Sequence, residues 1–136
     1  MLMLQQTSFV EQRTMATNDK CVTIHPYFEI KEGALDKFRS YCEKFIELTK
    51  SEKDCLYYGF SISGNKAHCR EGYTNGDGAL AHLDNVGGLL QELLNSGIAE
   101  VTDLQVHGPE DELAKLRKPL ADFNPNYWVL EYGFRN

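Results

Sequence analysis

Two side chains in the stretch "REGYTNGDGALAHL" (70–83) have the chemistry to move protons. His82 carries an imidazole whose ordinary pKa lies near neutrality, so small shifts decide whether it gives a proton to a phenol or hydroquinone or takes one. Upstream, Glu71 shares the phase of a strand-like run with Ala67, Cys69 and Tyr73. A carboxylate in so apolar a phase is costly unless it is paired or neutral, and a raised pKa makes it a candidate acid or base. The competing readings are a boundary histidine bonded to water, and a buried ion pair of Glu71 with Arg70 or Arg39. Tyr58 and Phe60 in "CLYYGF" (55–60), together with Tyr73, are suited to wall and orient a small ring.

A second group is His25 and Tyr27 in one strand-like run and His68 and Arg70 in another, all in the phases opposite to the apolar ones. If the two strands are neighbours, these side chains converge. His25, His68 and Arg70 are therefore further candidate binding residues. Two histidines and a carboxylate can hold a divalent metal, but no ligand spacing supports one, and a polar network at a subunit interface is the better expectation. No GxGxxG follows a strand and no GxxxxGK[ST] occurs, so no cofactor is expected. His107, beside Gly108, reads as a surface residue.

The elements that must position these groups follow from periodicity. Residues 22–30 alternate, with Val22, Ile24, Phe28 and Ile30 in one phase, and predict a strand that Pro26 places at a sheet edge or on a bulge. Leu35, Phe38, Cys42, Phe45 and Ile46 define one face of a helix over about 34–50. Residues 55–62 and 66–73 predict a hairpin closed by "SGNK", with Leu56, Tyr58, Phe60 and Ile62 in phase and positive φ at Gly64 or Asn65. A second helix over about 77–95 is expected with Asp77 as its cap and Leu83, Val86, Leu90 and Leu93 as its stripe. The pair Gly87–Gly88 within it costs roughly 2 kcal/mol of helix propensity and asks for a kink, a close contact or ligand space in return. A strand over 99–107, a short helix from Pro109, and a strand over 127–134 complete the chain. The expected fold is α+β: a ferredoxin-like βαββαβ antiparallel sheet under two helices, with a short helix and an extra strand appended.

Helices cover one face of such a sheet. The other phase carries Thr23, His25, Tyr27 and Tyr57, and the last strand is heavy in both phases, with Tyr127 and Val129 against Trp128, Leu130 and Phe134. Such a strand wants cover on both sides, which a second copy of the chain supplies. The alternative is that the last helix folds back over this face.

The segments "CLYYGF" and "REGYTNGDGALAHL" resemble the antibiotic-biosynthesis-monooxygenase family of dimeric α/β barrels, in which a strand ends with a glutamate two residues before an aromatic and leads into a helix bearing "AHL". Glu71, Tyr73 and Ala81-His82-Leu83 match in type and spacing, and the resemblance runs over about 21–107. Tyr73 stands where many members have tryptophan, and Gly87 where some have a second helical histidine. The resemblance implies a homodimer that acts without a cofactor as a monooxygenase on a small aromatic or quinol-type molecule held between helices and sheet. His82 would transfer the proton, Glu71 would assist, and Tyr58 and Tyr73 would orient the ring. The family also holds haem-degrading enzymes and members with no established activity, so a non-catalytic ligand-binding or stress-associated dimer and a structural interaction module remain alternatives.

Length and charge agree with this picture. One domain is expected over 20–136, preceded by a disordered tail over 1–19 in which Met15 is a second candidate start. A net charge of −6, with lysines and arginines scattered rather than gathered in a basic stripe, argues against a nucleic-acid surface. No segment reads as a signal peptide or membrane span, and Cys21, Cys42, Cys55 and Cys69 have no CxxC spacing, so a cytoplasmic protein with reduced thiols is expected.

Overall fold

The computed structural model describes residues 16–136, in the order β1 (Val22–Ile30), α1 (Leu35–Thr49), β2 (Cys55–Ser63), β3 (Lys66–Tyr73), α2 (Gly76–Ser96), β4 (Ala99–Gly108), α3 (Glu110–Leu113), a 3₁₀ turn at Ala121–Phe123, and β5 (Asn126–Val129). The expected tail falls mostly on residues 1–15, which lie outside the described residues, as does Met15. The sheet has the order β2-β3-β1-β4-β5 and is mixed: the first four strands pair antiparallel and β5 runs parallel to β4.

Strand alternation divides the side chains between two faces. Val22, Ile24, Phe28 and Ile30 of β1 are buried under the helices, as are Ala67, Cys69, Glu71 and Tyr73 of β3. From α1, Phe38, Cys42 and Phe45 close over one half of this face, with Val86 and Leu93 of α2. Over the other half, Val22, Ile24, Tyr73, Leu104 and Val106 pack against Leu113, Leu116 and Leu120 of the C-terminal segment.

Several boundaries depart from expectation for identifiable reasons. β1 is interior, flanked by β3 and β4, so Pro26 does not mark an edge. The ladder accommodates it instead: the β1–β3 pairing passes from Ile24↔Glu71 to Tyr27↔His68 in one register, skipping His25 and Pro26, and the β1–β4 register shifts between Tyr27 and Phe28. The cap of α2 is Asn75, whose Oδ1 accepts from the Gly78 amide at 2.8 Å, while Asp77 accepts from Lys115 Nζ at 3.2 Å. Gly64 alone takes the positive φ of the hairpin turn, at 62°. Leu56 is exposed because the β2–β3 register shifts between Cys55 and Tyr57. A Cβ at Gly87 or Gly88 would meet nothing within 4 Å, so no close helix–sheet contact explains that pair.

The third helix shortens to one turn, and the chain continues as a strap of turns to the 3₁₀ turn. Pro119 and the polar spacing between leucines suit turns better than a continued helix. The strap packs on the helical side, so among the described residues the strap leaves the face carrying Thr23, His25 and Tyr27 uncovered. It is fixed to the first turn of α2, where Glu112 Oε1 accepts from the Gly76 amide at 2.9 Å. A Cβ at Gly76 would stand 2.7 Å from the Glu112 carbonyl oxygen, so only glycine permits this approach. Alanine is the better helix former by about 1 kcal/mol, yet Gly76→Ala is expected to destabilise the fold by roughly 1–3 kcal/mol, a sign that urea denaturation reads directly.

Candidate functional site

β3 aims Glu71 inward between Ile24 of β1 and Tyr58 of β2, its register partners on either side. α2 lies above, and its first turns point His82 down at the same spot, where both side chains are almost wholly buried. His82 Nε2 stands 3.4 Å from Glu71 Oε1, and the Tyr73 hydroxyl donates to that oxygen at 2.7 Å. The other ring nitrogen, Nδ1, lies 2.9 Å from Glu52 Oε2 in the α1–β2 loop. Asn85 holds this loop, donating from Nδ2 to Glu52 Oε2 at 2.8 Å and to the Leu48 carbonyl at 2.9 Å. With Nδ1–H donating to Glu52, the lone pair of Nε2 faces Glu71, so the two groups can hold one proton between them.

Burial sets the protonation states. It pushes the Glu71 carboxyl up to about 7, against the bonds from Tyr73 and Cys69, and the Glu52 charge adds to the rise. Burial lowers the His82 pKa, while its bond to Glu52 and that carboxylate's charge oppose the shift. Burial first, and then neighbouring charge, also raises the Tyr58 and Tyr73 hydroxyls and the Cys69 thiol well above their ordinary values. Near neutral pH, Glu71 is therefore divided between its acid form and a carboxylate able to accept a proton, beside an imidazole that burial favours neutral, with phenols and a thiol that keep their protons.

These groups line one end of an apolar cavity of about 70 Å³. Ile24, Pro26, Phe28, Tyr58, Phe60, Val101 and Leu104 form its floor and sides, Phe45, Leu83, Val86 and Leu90 its roof, and Leu120 and Phe123 of the strap its far wall. The rings of Tyr58 and Tyr73 lie 5.2 and 5.1 Å from that of His82. Gly87 and Gly88 do not line the cavity.

Of the residues singled out from sequence, the fold brings Glu71, His82, Tyr58 and Phe60 to this cavity and Tyr73 directly behind it. His25, His68 and Arg70 do not reach it: they sit in the opposite phase of β1 and β3 and project from the other face of the sheet. There His25 and His68 do converge, stacked at 5.7 Å, and the line of rings extends from Tyr27 at 4.3 Å from His68 to His107 and Trp128 on the other side. Arg70 stacks on Tyr57 and Arg39 pairs with Asp36, so neither is the partner of Glu71. Among the described residues no group of three or more His, Cys, Asp or Glu side chains is disposed to hold a metal ion, and no helix is long and apolar enough to cross a membrane. Glu52 and Asn85 were not expected. They come from a loop and from the exposed flank of a helix, where no periodicity marks them.

No protein-family model matches the chain, and no curated protein matches it. Among solved structures it is similar to MupZ from Pseudomonas fluorescens, with 44% identity, a TM-score of 0.80, and a match spanning 86% of this chain and 95% of that one. That span is longer than residues 1–108 alone can supply, so it takes in part of the strap. A Bacteroides thetaiotaomicron protein described as a possible oxidoreductase (14% identity, TM-score 0.58, 65% of this chain and 96% of that one) shares the fold. So does Rv0793 from Mycobacterium tuberculosis (18% identity, TM-score 0.57, 65% and 94%).

The raised carboxyl has a consequence for stability. Its folded pKa of about 7 exceeds the ordinary 4.5, so its contribution is fully present below about 4.5 and is lost as pH rises through about 7. Glu71→Gln removes that dependence. Between about pH 5 and pH 8 the variant should gain on the wild type by up to about 3 kcal/mol, measured by denaturant titration across pH.

Proposed function

This chain belongs to the family of MupZ, and for it we propose general acid–base catalysis on a small, largely apolar molecule, with Glu71 and His82 as the proton-transfer pair. One observation carries the reading: a carboxyl poised to titrate near neutrality faces an imidazole nitrogen at 3.4 Å on the wall of an apolar cavity. Such a pair matches the pH at which it must work and loses little driving force in either direction. Glu52 is a positioning residue that holds the tautomer presenting Nε2 to the cavity.

Within that class we favour oxidation of a phenol or quinol-type molecule without a cofactor. The resemblance of residues 55–60 and 70–83 to oxygenases supports this instance, as does the fold shared with a protein described as a possible oxidoreductase. The substrate O–H gives its proton to the Glu71–His82 pair, and the phenolate passes an electron to dioxygen. Overall the substrate supplies all four electrons that dioxygen takes: two leave with two hydrogens, which join one oxygen atom as water, and two go into the bond that carbon forms to the other oxygen atom. Tyr58 and Phe60 wall the ring and exclude solvent.

The working unit we propose is a homodimer joined through the open sheet face. Tyr27 and Trp128 are exposed there, 38% and 55%, in line with the histidine rings, and the strap covers the opposite side. Replacing Trp128 with glutamate should convert the dimer to monomer in sedimentation velocity; a monomeric wild type contradicts the assembly.

Oxygen uptake with a panel of hydroquinones tests the chemistry. His82→Ala and Glu71→Gln should each lose roughly 100-fold or more of the wild-type rate. Equal rates in all three proteins remove the pair from the mechanism. Thermal stabilisation by the panel with no uptake transfers the assignment to a ligand-binding dimer.

A further inference from the structure

Resting on this reading of the cavity, we propose that Leu120 and Phe123, on the C-terminal strap, set how long an apolar tail the substrate can carry. The cavity crosses the sheet beneath α2, with Tyr58 of β2 at one end and Leu104 of β4 at the other. Its ionisable groups, Glu71 and His82, belong to the β3 side. On the strap side the lining is hydrocarbon, and Leu120 and Phe123 are the side chains that line it there. Neighbouring strands lie about 4.8 Å apart, so the step from β3 across β1 to β4 gives about 10 Å of apolar floor.

A ligand that fits this gradient has one polar head, a phenol or other weakly acidic hydroxyl, at the Glu71–His82 pair, and a thin apolar tail running toward the strap. The cavity of about 70 Å³ is small beside the several hundred a drug-sized ligand needs, so the tail is unbranched or a single ring edge. The wall is firmly held at its root: Leu116 is fully buried and its carbonyl accepts from the Tyr127 hydroxyl at 3.4 Å. Phe123, by contrast, is only partly buried and sits in the 3₁₀ turn, next to Asn124 with its φ of 47°. The root therefore fixes where the wall stands, and the tip decides how far a tail can reach.

Isothermal titration with 4-alkylphenols, from methyl to octyl, tests this without requiring turnover. Wild-type affinity should rise about fourfold per methylene until the tail meets the strap, then level off or fall. Leu120→Ala should move that cut-off to longer tails by about two carbons and Phe123→Ala by about three, the length of side chain each removes, and Phe123→Trp should move it to shorter ones. Phe123 is part-exposed, so its variants remain readable should Leu120→Ala fail to fold. Glu71→Gln should weaken every phenol and leave the cut-off in place, so loss of the head interaction and loss of the length rule register separately. A wild type that binds no member, or an identical cut-off in wild type and both Phe123 variants, overturns the proposal.

Discussion

The arrangement depends on the cost of burying one carboxyl group. Glu71 is 4% exposed under a helix and among aromatic rings, where an unpaired charge is expensive and protonation is the cheaper outcome. The groups around it answer that cost in two ways. Tyr73 and Cys69 donate to the carboxyl and favour its charged form, while burial and the charge of Glu52 push the other way. Those opposing effects leave the group near neutrality, where a proton is easily exchanged. His82 is pulled in two directions as well, downward by burial and upward by Glu52. A solvent-exposed pair of the same residues would have no such poise.

Holding this balance requires that water stay out and that three separate elements keep their places. The β2–β3 hairpin delivers Glu71, Tyr73 and Tyr58 on one face by simple alternation. α2 delivers His82, and its start is pinned twice, by the Asn75 cap and by Glu112 reaching from the strap to the Gly76 amide. The strap thus links the end of the cavity to the helix that carries the imidazole. The similarity to MupZ extends into this part of the chain, whereas the matches to the Bacteroides and Mycobacterium proteins are about as long as β1 through β4.

Much of this was legible in the sequence. Period-2 and period-3.6 patterns located both long helices and the first four strands, because each buries one continuous face. The same alternation put Glu71 and Tyr73 on one side of β3 and already assigned His68 and Arg70 to the other, so their absence from the cavity follows from the pattern that identified them. What escaped detection depends on contacts distant in sequence. Glu52 meets His82 across 30 residues, and no local signal announces that meeting. Leu56 kept the apolar phase on paper, but a register shift turned it outward. The segment after Pro109 has leucines at helical spacing, yet it forms one helical turn and a strap, because its leucines seek the sheet and α2 rather than a common stripe. The last strand stops at Val129, leaving Tyr132 and Phe134 exposed beyond it.

The ionisation of Glu71 tests the account most directly. In protein carrying ¹³C-labelled glutamate, its side-chain carboxyl resonance can be assigned by its loss in Glu71→Gln and followed across pH. A midpoint near 7 is what burial of this carboxyl requires, and it puts the group in range to exchange a proton with His82 Nε2, 3.4 Å away. A midpoint at the ordinary 4.5 would mean that the carboxylate is already charged and solvated at neutral pH, and that the proton-sharing pair does not exist.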